Sequence, residues 1–94
     1  MATKYIRVQL NKPNEKPDQK NKINELLNNI KSNSEYSPYI DIDTKIKRDD
    51  EYFLTWEISF EDGESTVARS ALMRKLTKNL EGTDASVSPA NKPM

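Results

Sequence analysis

The sequence YFLTWEISF, residues 52–60, decides the fold of this chain. Apolar and polar side chains alternate along it, which is typical of a β-strand with one buried face and one open face. The side chains expected on the buried face are Tyr52, Leu54, Trp56, Ile58 and Phe60. No other alternating segment is as apolar, so we expect this strand to lie in the middle of a sheet.

Two further segments alternate in the same way, and two others have helical spacing. Residues 4–10 (KYIRVQL) and 39–47 (YIDIDTKIK) are predicted strands. Residues 22–32 (KINELLNNIKS) and 65–82 (STVARSALMRKLTKNLEG) repeat apolar side chains at the three- and four-residue spacing of an amphipathic helix. The order of elements is therefore β-α-β-β-α.

This order predicts an α+β sandwich of two layers. A right-handed crossover leaves a gap beside the first strand, and the third strand fills it, which gives a three-stranded antiparallel sheet of order 1-3-2 with both helices on one face. The arrangement is a ferredoxin-like plait that lacks its last strand, unless Val87 forms a stub of that strand. Residues 1–82 are expected to form one domain, and residues 83–94, which are small and polar with two prolines, a disordered tail.

The composition limits the chemistry of the chain. Its 94 residues include no cysteine and no histidine, which removes thiol chemistry, cysteine zinc sites, and the commonest general base and transition-metal ligand. We therefore expect no enzyme activity, no cofactor and no bound metal. The sequence has no apolar run of about 20 residues and no signal-peptide core, so we expect a cytoplasmic protein without a membrane partner.

Charge is unevenly distributed although the formal net charge is zero. Residues 1–34 carry a net charge of +4, residues 35–64 carry −7, and residues 65–94 carry +3. Such blocks create local potentials that steer partners even when the total charge vanishes. The middle block contains the predicted hairpin of strands two and three.

Side-chain parity restricts the register of this hairpin. Even-numbered residues point inward on both strands, and residues that are directly opposite share a face, so the numbers of each pair must sum to an even value. A two-residue loop that pairs Arg48 with Glu51 breaks this condition. We therefore expect a loop of odd length, with three residues as the first choice, or a β-bulge.

The outer face of the sheet carries the main candidate site. Registers with pair sums of 100 or 98 place Glu57 opposite Asp43 or Asp41, so either register brings three carboxylates together. Like charges that face each other cost stability and require compensation. Arg7 and Lys45 could neutralise the cluster, a basic partner surface could bind it, or a divalent cation could bind it, the last being least favoured because no loop encloses the strand face.

Exposed aromatic side chains add an apolar element to this face. Phe53 is expected to point outward, and Tyr39 lies where the second strand begins. We therefore predict that the chain binds another protein through the outer sheet face and the hairpin of strands two and three. The predicted contact residues are Asp41, Asp43 and Glu57, which supply charge complementarity, and Phe53 and Tyr39, which supply an apolar anchor. The short, lysine- and asparagine-rich chain suits an accessory protein of a phage or mobile element, such as an inhibitor of a host system.

Two alternative functions stay open. Arg69, Arg74, Lys75 and Lys78 on helix 65–82 could bind nucleic acid, in which case binding would weaken with salt. The predicted carboxylates on the sheet face would repel phosphate. A self-assembling structural subunit is the other alternative, because the second strand is predicted to be an edge whose backbone can pair with another chain.

Overall fold

The computed structural model describes residues 2–32, 42–62 and 67–94 of the chain. Within these ranges the chain forms four strands, two α-helices and one 3₁₀ turn. In chain order they are β1 (Ala2–Asn11), the 3₁₀ turn (Pro13–Glu15), α1 (Pro17–Ser32), β2 (Ile42–Asp49), β3 (Phe53–Asp62), α2 (Val67–Asn79) and β4 (Ala85–Ala90).

The sheet is antiparallel and has the strand order β2-β3-β1-β4. The predicted neighbours are therefore present: β3 lies between β2 and β1, and Ile58 is directly opposite Ile6. The predicted count of three strands is wrong, because β4 pairs with the other side of β1. This arrangement is the complete ferredoxin-like plait, with both helices packed on one face of the sheet.

The fourth strand corrects the prediction of a disordered tail after residue 82. Val87, which was considered only as a stub, lies opposite Val8, and the pairing runs from Ala85 against Leu10 to Ala90 against Tyr5. An edge strand pairs on one side only, so it needs fewer apolar residues than a central strand and can contain a proline such as Pro89. The small, polar composition of this segment therefore concealed its regular structure.

The core lies between the helices and the sheet. Among the described residues it contains 13 buried hydrophobic side chains in one cluster. These are Ile6, Val8 and Leu10 from β1, Ile23, Leu27 and Ile30 from α1, Leu54, Trp56, Ile58 and Phe60 from β3, and Leu72, Leu76 and Leu80 from and just after α2. The two predicted helical stripes and the predicted inward positions of β3 other than Tyr52 thus meet in a single layer.

A β-bulge sets the register of the hairpin. Ile42 to Ile46 pair with Phe60 to Trp56, so their numbers sum to an even value as predicted, and the register then shifts between Ile46 and Arg48. Lys47 is the extra residue of this bulge. Of the two predicted alternatives, a loop of odd length or a β-bulge, the structure therefore confirms the bulge.

The turn that follows the bulge is held by one carboxylate. Asp50 Oδ1 accepts the backbone N–H groups of Tyr52 and Phe53 at 2.8 and 2.7 Å, and Asp50 Oδ2 accepts the Nε–H of Arg48 at 2.6 Å. These bonds place Tyr52 in the turn before β3 begins. Tyr52 is therefore 60% exposed and not part of the core, which corrects the prediction that it points inward.

Candidate protein-binding surface

The predicted cluster of three carboxylates is not formed by the described residues. Asp43 lies opposite Ser59, and Glu57 lies opposite Lys45, because the observed pair sum is 102 instead of 100 or 98. This register replaces a like-charge pair with an opposite-charge pair, which is the more stable arrangement across a sheet. Asp41 and Tyr39, the other two predicted members of the site that adjoin Asp43, lie outside the described residues.

Asp43 is surrounded by cations. Its Oδ1 lies 3.5 Å from Lys31 Nζ and its Oδ2 lies 3.6 Å from Lys45 Nζ, while the N–H of Thr44 donates to Oδ1 at 3.0 Å. Partial burial raises the pKa of Asp43, but the hydrogen bond and charge of Lys31, the charge of Lys45 and the Thr44 amide outweigh it, so the pKa lies below 3.8. The neutralisation predicted for this region is thus present at Asp43, with Lys31 as a further partner.

Glu57 is buried although it lies on the outer face of the sheet. Its side chain is only 4% exposed, with Oε1 at 3.7 Å from Lys47 Nζ and Oε2 accepting the Met94 N–H at 2.8 Å. Arg7 is its direct neighbour on β1. In this structure the chain's own C-terminal segment therefore covers the Glu57 carboxylate, and partner binding by Glu57 stays a prediction.

Residues 91–94, here called the strap, cross the outer face from β4 over β1 to β3. At their start, Arg69 donates to Ala90 O at 3.3 Å and to Asn91 Oδ1 at 2.9 Å. Further along, the guanidinium of Arg7 donates to Lys92 O at 2.9 Å. The strap thus continues the chain beyond β4 and is anchored at both ends by hydrogen bonds.

The hairpin tip carries the exposed apolar surface of the described chain. Among the described residues, the large hydrophobic side chains classed as exposed are Ile46 at 52%, Tyr52 at 60%, and Met94 at 52%. The first two belong to the hairpin, where the guanidinium of Arg48 also stacks 4.6 Å from the ring centre of the half-buried Phe53. We call Ile46, Arg48, Tyr52 and Phe53 the hairpin patch, which extends around the hairpin because Ile46 lies opposite Trp56 on the helix side of the sheet and Phe53 lies on the outer side.

A groove between α1 and β2 adjoins this patch. It has a volume of about 300 Å³, and its lining includes Asn24, Leu27, Asn28, Thr44, Ile46 and Trp56. The side chain of Trp56 is fixed there because its indole N–H donates to Asn24 Oδ1 at 3.0 Å. Ile46 belongs both to the patch and to one wall of the groove, so a ligand that covers the patch can insert a side chain between the helix and the strand.

The four cations predicted to bind nucleic acid do not share one open surface. Arg69 is half-buried and holds the start of the strap, while Arg74 and Lys78 are exposed and line a shallow groove of about 550 Å³ with Met73, Thr77 and Glu81. Lys75 is half-buried. Of the predicted set, Arg74 and Lys78 are therefore the pair that the helix presents together.

The described part of the chain has no group of three or more acidic side chains arranged to hold a metal ion. Its two α-helices are also too short and too polar to cross a bilayer. The sequence signals for the strap were weak, because nothing in the residue pattern of 91–94 indicates where that segment lies. The exposure of Ile46 likewise depends on the position of β2 at the edge of the sheet, beside the groove under α1, which the alternation of β2 does not define.

Comparison with known proteins supports the fold. No protein-family model matches the chain, and no curated protein is similar to it. The solution NMR structure of the de novo designed protein LFR1 1, described as having a ferredoxin fold, is similar with a TM-score of 0.51 and 16% identity over 100% of this chain and 88% of the design. The de novo designed protein Foldit4 is similar with a TM-score of 0.47 and 14% identity over 97% of each chain. At 16% identity the likeness to LFR1 1 concerns the fold alone.

Proposed function

We propose that the chain is a non-catalytic module that binds another protein through the hairpin patch. The observation that carries this proposal is the exposure of Ile46 and Tyr52 at one hairpin, in a chain whose other strand and helix hydrophobics are largely buried. Burying one such side chain contributes about 1.5–3 kcal/mol. A partner that wraps around the hairpin would bury Ile46 on the helix side of the sheet and Phe53 on the outer side, with Tyr52 in the turn between their strands.

The surroundings of the patch suit a protein partner. Arg48 is stacked on Phe53, which fixes a large guanidinium–aromatic surface of the kind that is enriched in interface centres. Charged side chains at the rim, including Lys45 and Glu51, supply polar contacts. The groove beside Ile46 offers room for an apolar side chain of the partner next to Trp56.

The proposal moves the contact surface from the sheet face to the hairpin. Glu57 is covered by the strap, and Asp43 is paired with Lys31 and Lys45, so neither carboxylate presents an unpaired charge. The hairpin, which was also predicted as contact surface, retains its exposed apolar side chains. An inhibitor of a host system from a phage or mobile element is one form that such a module takes, and only composition supports that form.

Affinity capture from the native source with the full chain tests this proposal. The wild type and a double variant, Ile46→Asp with Tyr52→Ala, are compared by mass spectrometry of the captured proteins. We expect a specific partner to be lost with the double variant, because two apolar anchors are removed from exposed positions. Thr77→Asp with Lys78→Ala, two exposed positions on α2, serves as the matched control. Equal capture by both variants would overturn the hairpin patch as the contact surface.

Nucleic-acid binding is the second candidate, favoured by the position of Arg74 and Lys78 one helical turn apart beside a shallow groove. A basic pair of this kind contacts phosphates, and its binding weakens steeply with salt. A titration of mixed DNA and RNA with the full chain at low salt, with Arg74→Ala and Lys78→Ala as the comparison, tests it. The absence of any binding at low salt would remove this candidate.

Self-assembly is a further candidate, since β2 and β4 are edge strands in the described part of the chain. The molar mass measured by light scattering over a range of protein concentrations distinguishes this function. A mass that rises with concentration supports assembly, and a constant monomer mass excludes it over that range.

A further inference from the structure

The outer face of the sheet contains a polar site that the strap fills only in part. Its side chains are Arg7 on β1 and Thr55 and Glu57 on β3, and the two on β3 are 1% and 4% exposed. Two buried atoms of this site, Arg7 Nε and Thr55 Oγ1, have no hydrogen-bond partner among the described residues. Buried polar groups are normally paired, so these two atoms mark binding capacity that the strap does not use.

The strap shows how this site holds an extended backbone. Arg7 donates to the carbonyl of Lys92, and Glu57 accepts the N–H of Met94, two residues further along. Both contacts involve backbone atoms of the strap, so they would accept many sequences. The contacts of the strap with Arg7 and Glu57 therefore define a site for the backbone of an extended segment. Any preference for particular side chains in that segment depends on the unpaired atoms, Arg7 Nε and Thr55 Oγ1.

The unused atoms favour a carboxylate. The guanidinium of Arg7 uses one terminal nitrogen for Lys92 O, while its Nε, which with that nitrogen forms a planar fork, stays unpaired. Such a fork matches the two oxygens of a carboxylate better than one carbonyl oxygen. The nearby charges agree, because Arg7 lies opposite Glu57 and Lys47 Nζ lies 3.7 Å from its carboxylate, so two cations border this acid.

We propose that the outer face around Arg7, Thr55 and Glu57 is a recognition site for an extended, carboxylate-bearing peptide segment of a partner protein, and that the strap occupies this site in the free chain. The strap is tethered, so its effective concentration is on the order of millimolar, and a modest intrinsic affinity keeps it in place. A partner segment displaces it by adding the carboxylate contact that the strap lacks. This site adjoins the outer side of the hairpin patch, because Thr55 lies opposite Arg48, but it rests on different contacts.

Loosening the strap in the full chain makes the site accessible to a peptide probe. The loosened variant combines Arg69→Gln, which removes the guanidinium contacts to Ala90 and Asn91, with Pro93→Gly, which makes the strap more flexible and by itself opens it roughly two- to fivefold more often. The probes are two blocked pentapeptides, Ala-Asn-Glu-Pro-Met and Ala-Asn-Lys-Pro-Met, where the second reproduces residues 90–94. Binding is followed by chemical-shift changes of the backbone amides up to about 5 mM peptide, where contacts weaker than micromolar are still detected.

We expect saturable shifts at Arg7, Thr55 and Glu57, with the glutamate peptide binding about tenfold more tightly, the ratio expected for one additional charge-assisted hydrogen bond. Adding Arg7→Gln to the loosened variant should abolish that preference. Should Arg69→Gln prevent folding, Pro93→Gly alone serves as the host. The variant Ile46→Asp with Tyr52→Ala should still bind in the loosened background, which separates this site from the proposed function.

Three results would overturn the proposal. The first is the absence of saturable shifts at these residues in a folded, loosened variant, since the strap would then be a structural element without a site beneath it. The second is equal affinity for the two peptides, which would remove the carboxylate preference. The third is association of the loosened chain with itself in the absence of peptide, which would assign the site to the strap of a second copy.

Discussion

Arg7 and Glu57 lie directly opposite each other on β1 and β3, and each holds a different backbone atom of the same crossing segment. One side chain donates to a carbonyl and the other accepts an amide N–H, so the pair matches the polarity of a peptide that runs across the sheet. This relationship explains why a glutamate is buried on a face that alternation alone assigns to solvent. It also defines the first stability test.

Replacing Glu57 with alanine should lower the free energy of unfolding by about 1–3 kcal/mol, the penalty for leaving buried polar partners unsatisfied. The N–H of Met94 would lose its acceptor, and Lys47 would lose its counter-ion. Urea unfolding followed by circular dichroism measures the change. Glu61→Ala is the matched control, because Glu61 is an exposed glutamate on the same strand, and its effect should stay within about 0.5 kcal/mol. Equal effects of the two changes would contradict the buried role of Glu57.

Replacing Val87 with aspartate tests whether β4 belongs to the fold. Val87 lies opposite Val8 and packs against the core, so a charge there should destabilise the chain by about 1–3 kcal/mol. Ser86→Asp introduces the same charge at the exposed neighbouring position and should change stability by about 0.5 kcal/mol or less. Thermal unfolding of both variants gives the comparison. An unfolding midpoint of the Val87 variant equal to that of wild type would mean that β4 contributes no packing.

Replacing Asn24 with alanine should remove the acceptor of the Trp56 indole and destabilise the chain by about 0.5–1.5 kcal/mol. Asn28→Ala controls for the gain in helix propensity, since Asn28 lies one turn further along the same helix and lines the same groove. The difference between the two variants in urea unfolding isolates the hydrogen bond. A change in Trp56 fluorescence in the Asn24 variant alone would show that the loss of stability arises at this side chain. Equal stabilities of the Asn24 and Asn28 variants would argue against the hydrogen bond.

Acid should destabilise the chain through Asp43 and Asp50. The hydrogen bond from Arg48 and the amides of Phe53 and Tyr52 hold the pKa of Asp50 below 3.8, and that of Asp43 is also lowered. A carboxyl group whose pKa is lower in the folded state stabilises that state above the unfolded pKa and loses this contribution as pH falls through the folded pKa. We therefore expect the midpoint temperature of thermal unfolding to decrease as the pH is lowered below about 4.

The variant Asp50→Asn isolates one part of this acid response. Its loss of stability below about pH 4 should be smaller than that of wild type, because one of the two shifted groups no longer titrates. Carboxyl carbon shifts of wild type, recorded by NMR across the same range, should give midpoints below 3.8 for both aspartates. A midpoint at or above 3.8 for Asp50 would show that the turn does not hold its carboxylate as described.

The sequence was sufficient to predict those parts of the fold that depend on periodicity. The alternation of residues 52–60 and the helical stripes that include Ile23 and Leu76 predict the core and the neighbours of β3. Parity also predicts the bulge, although its position at Lys47 and the pair sum of 102 depend on the turn that Asp50 holds. β4 escaped prediction because an edge strand needs little apolar content.

The candidate site was less predictable, because it depends on contacts between distant parts of the chain. The contact between Met94 and Glu57 joins residues 37 positions apart, and no local pattern encodes it. Ile46 is 52% exposed although it lies opposite the buried Trp56, because β2 is an edge strand beside the groove under α1, which alternation does not report. Phe53 was correctly placed on the outer face, but its stacking with Arg48 requires the bulge that turns this arginine toward the ring.

The bulge at Lys47 has a consequence for how the molecule behaves at high concentration. It ends the regular pairing of β2 after Ile46, and among the described residues the carboxylate of Asp43 already occupies the N–H of Thr44. A foreign strand would therefore meet an edge that the bulge interrupts and Asp43 partly blocks, and natural sheets use such irregular edges against aggregation. The same hairpin that presents its apolar side chains to a partner is thus built to resist fibre growth along its backbone.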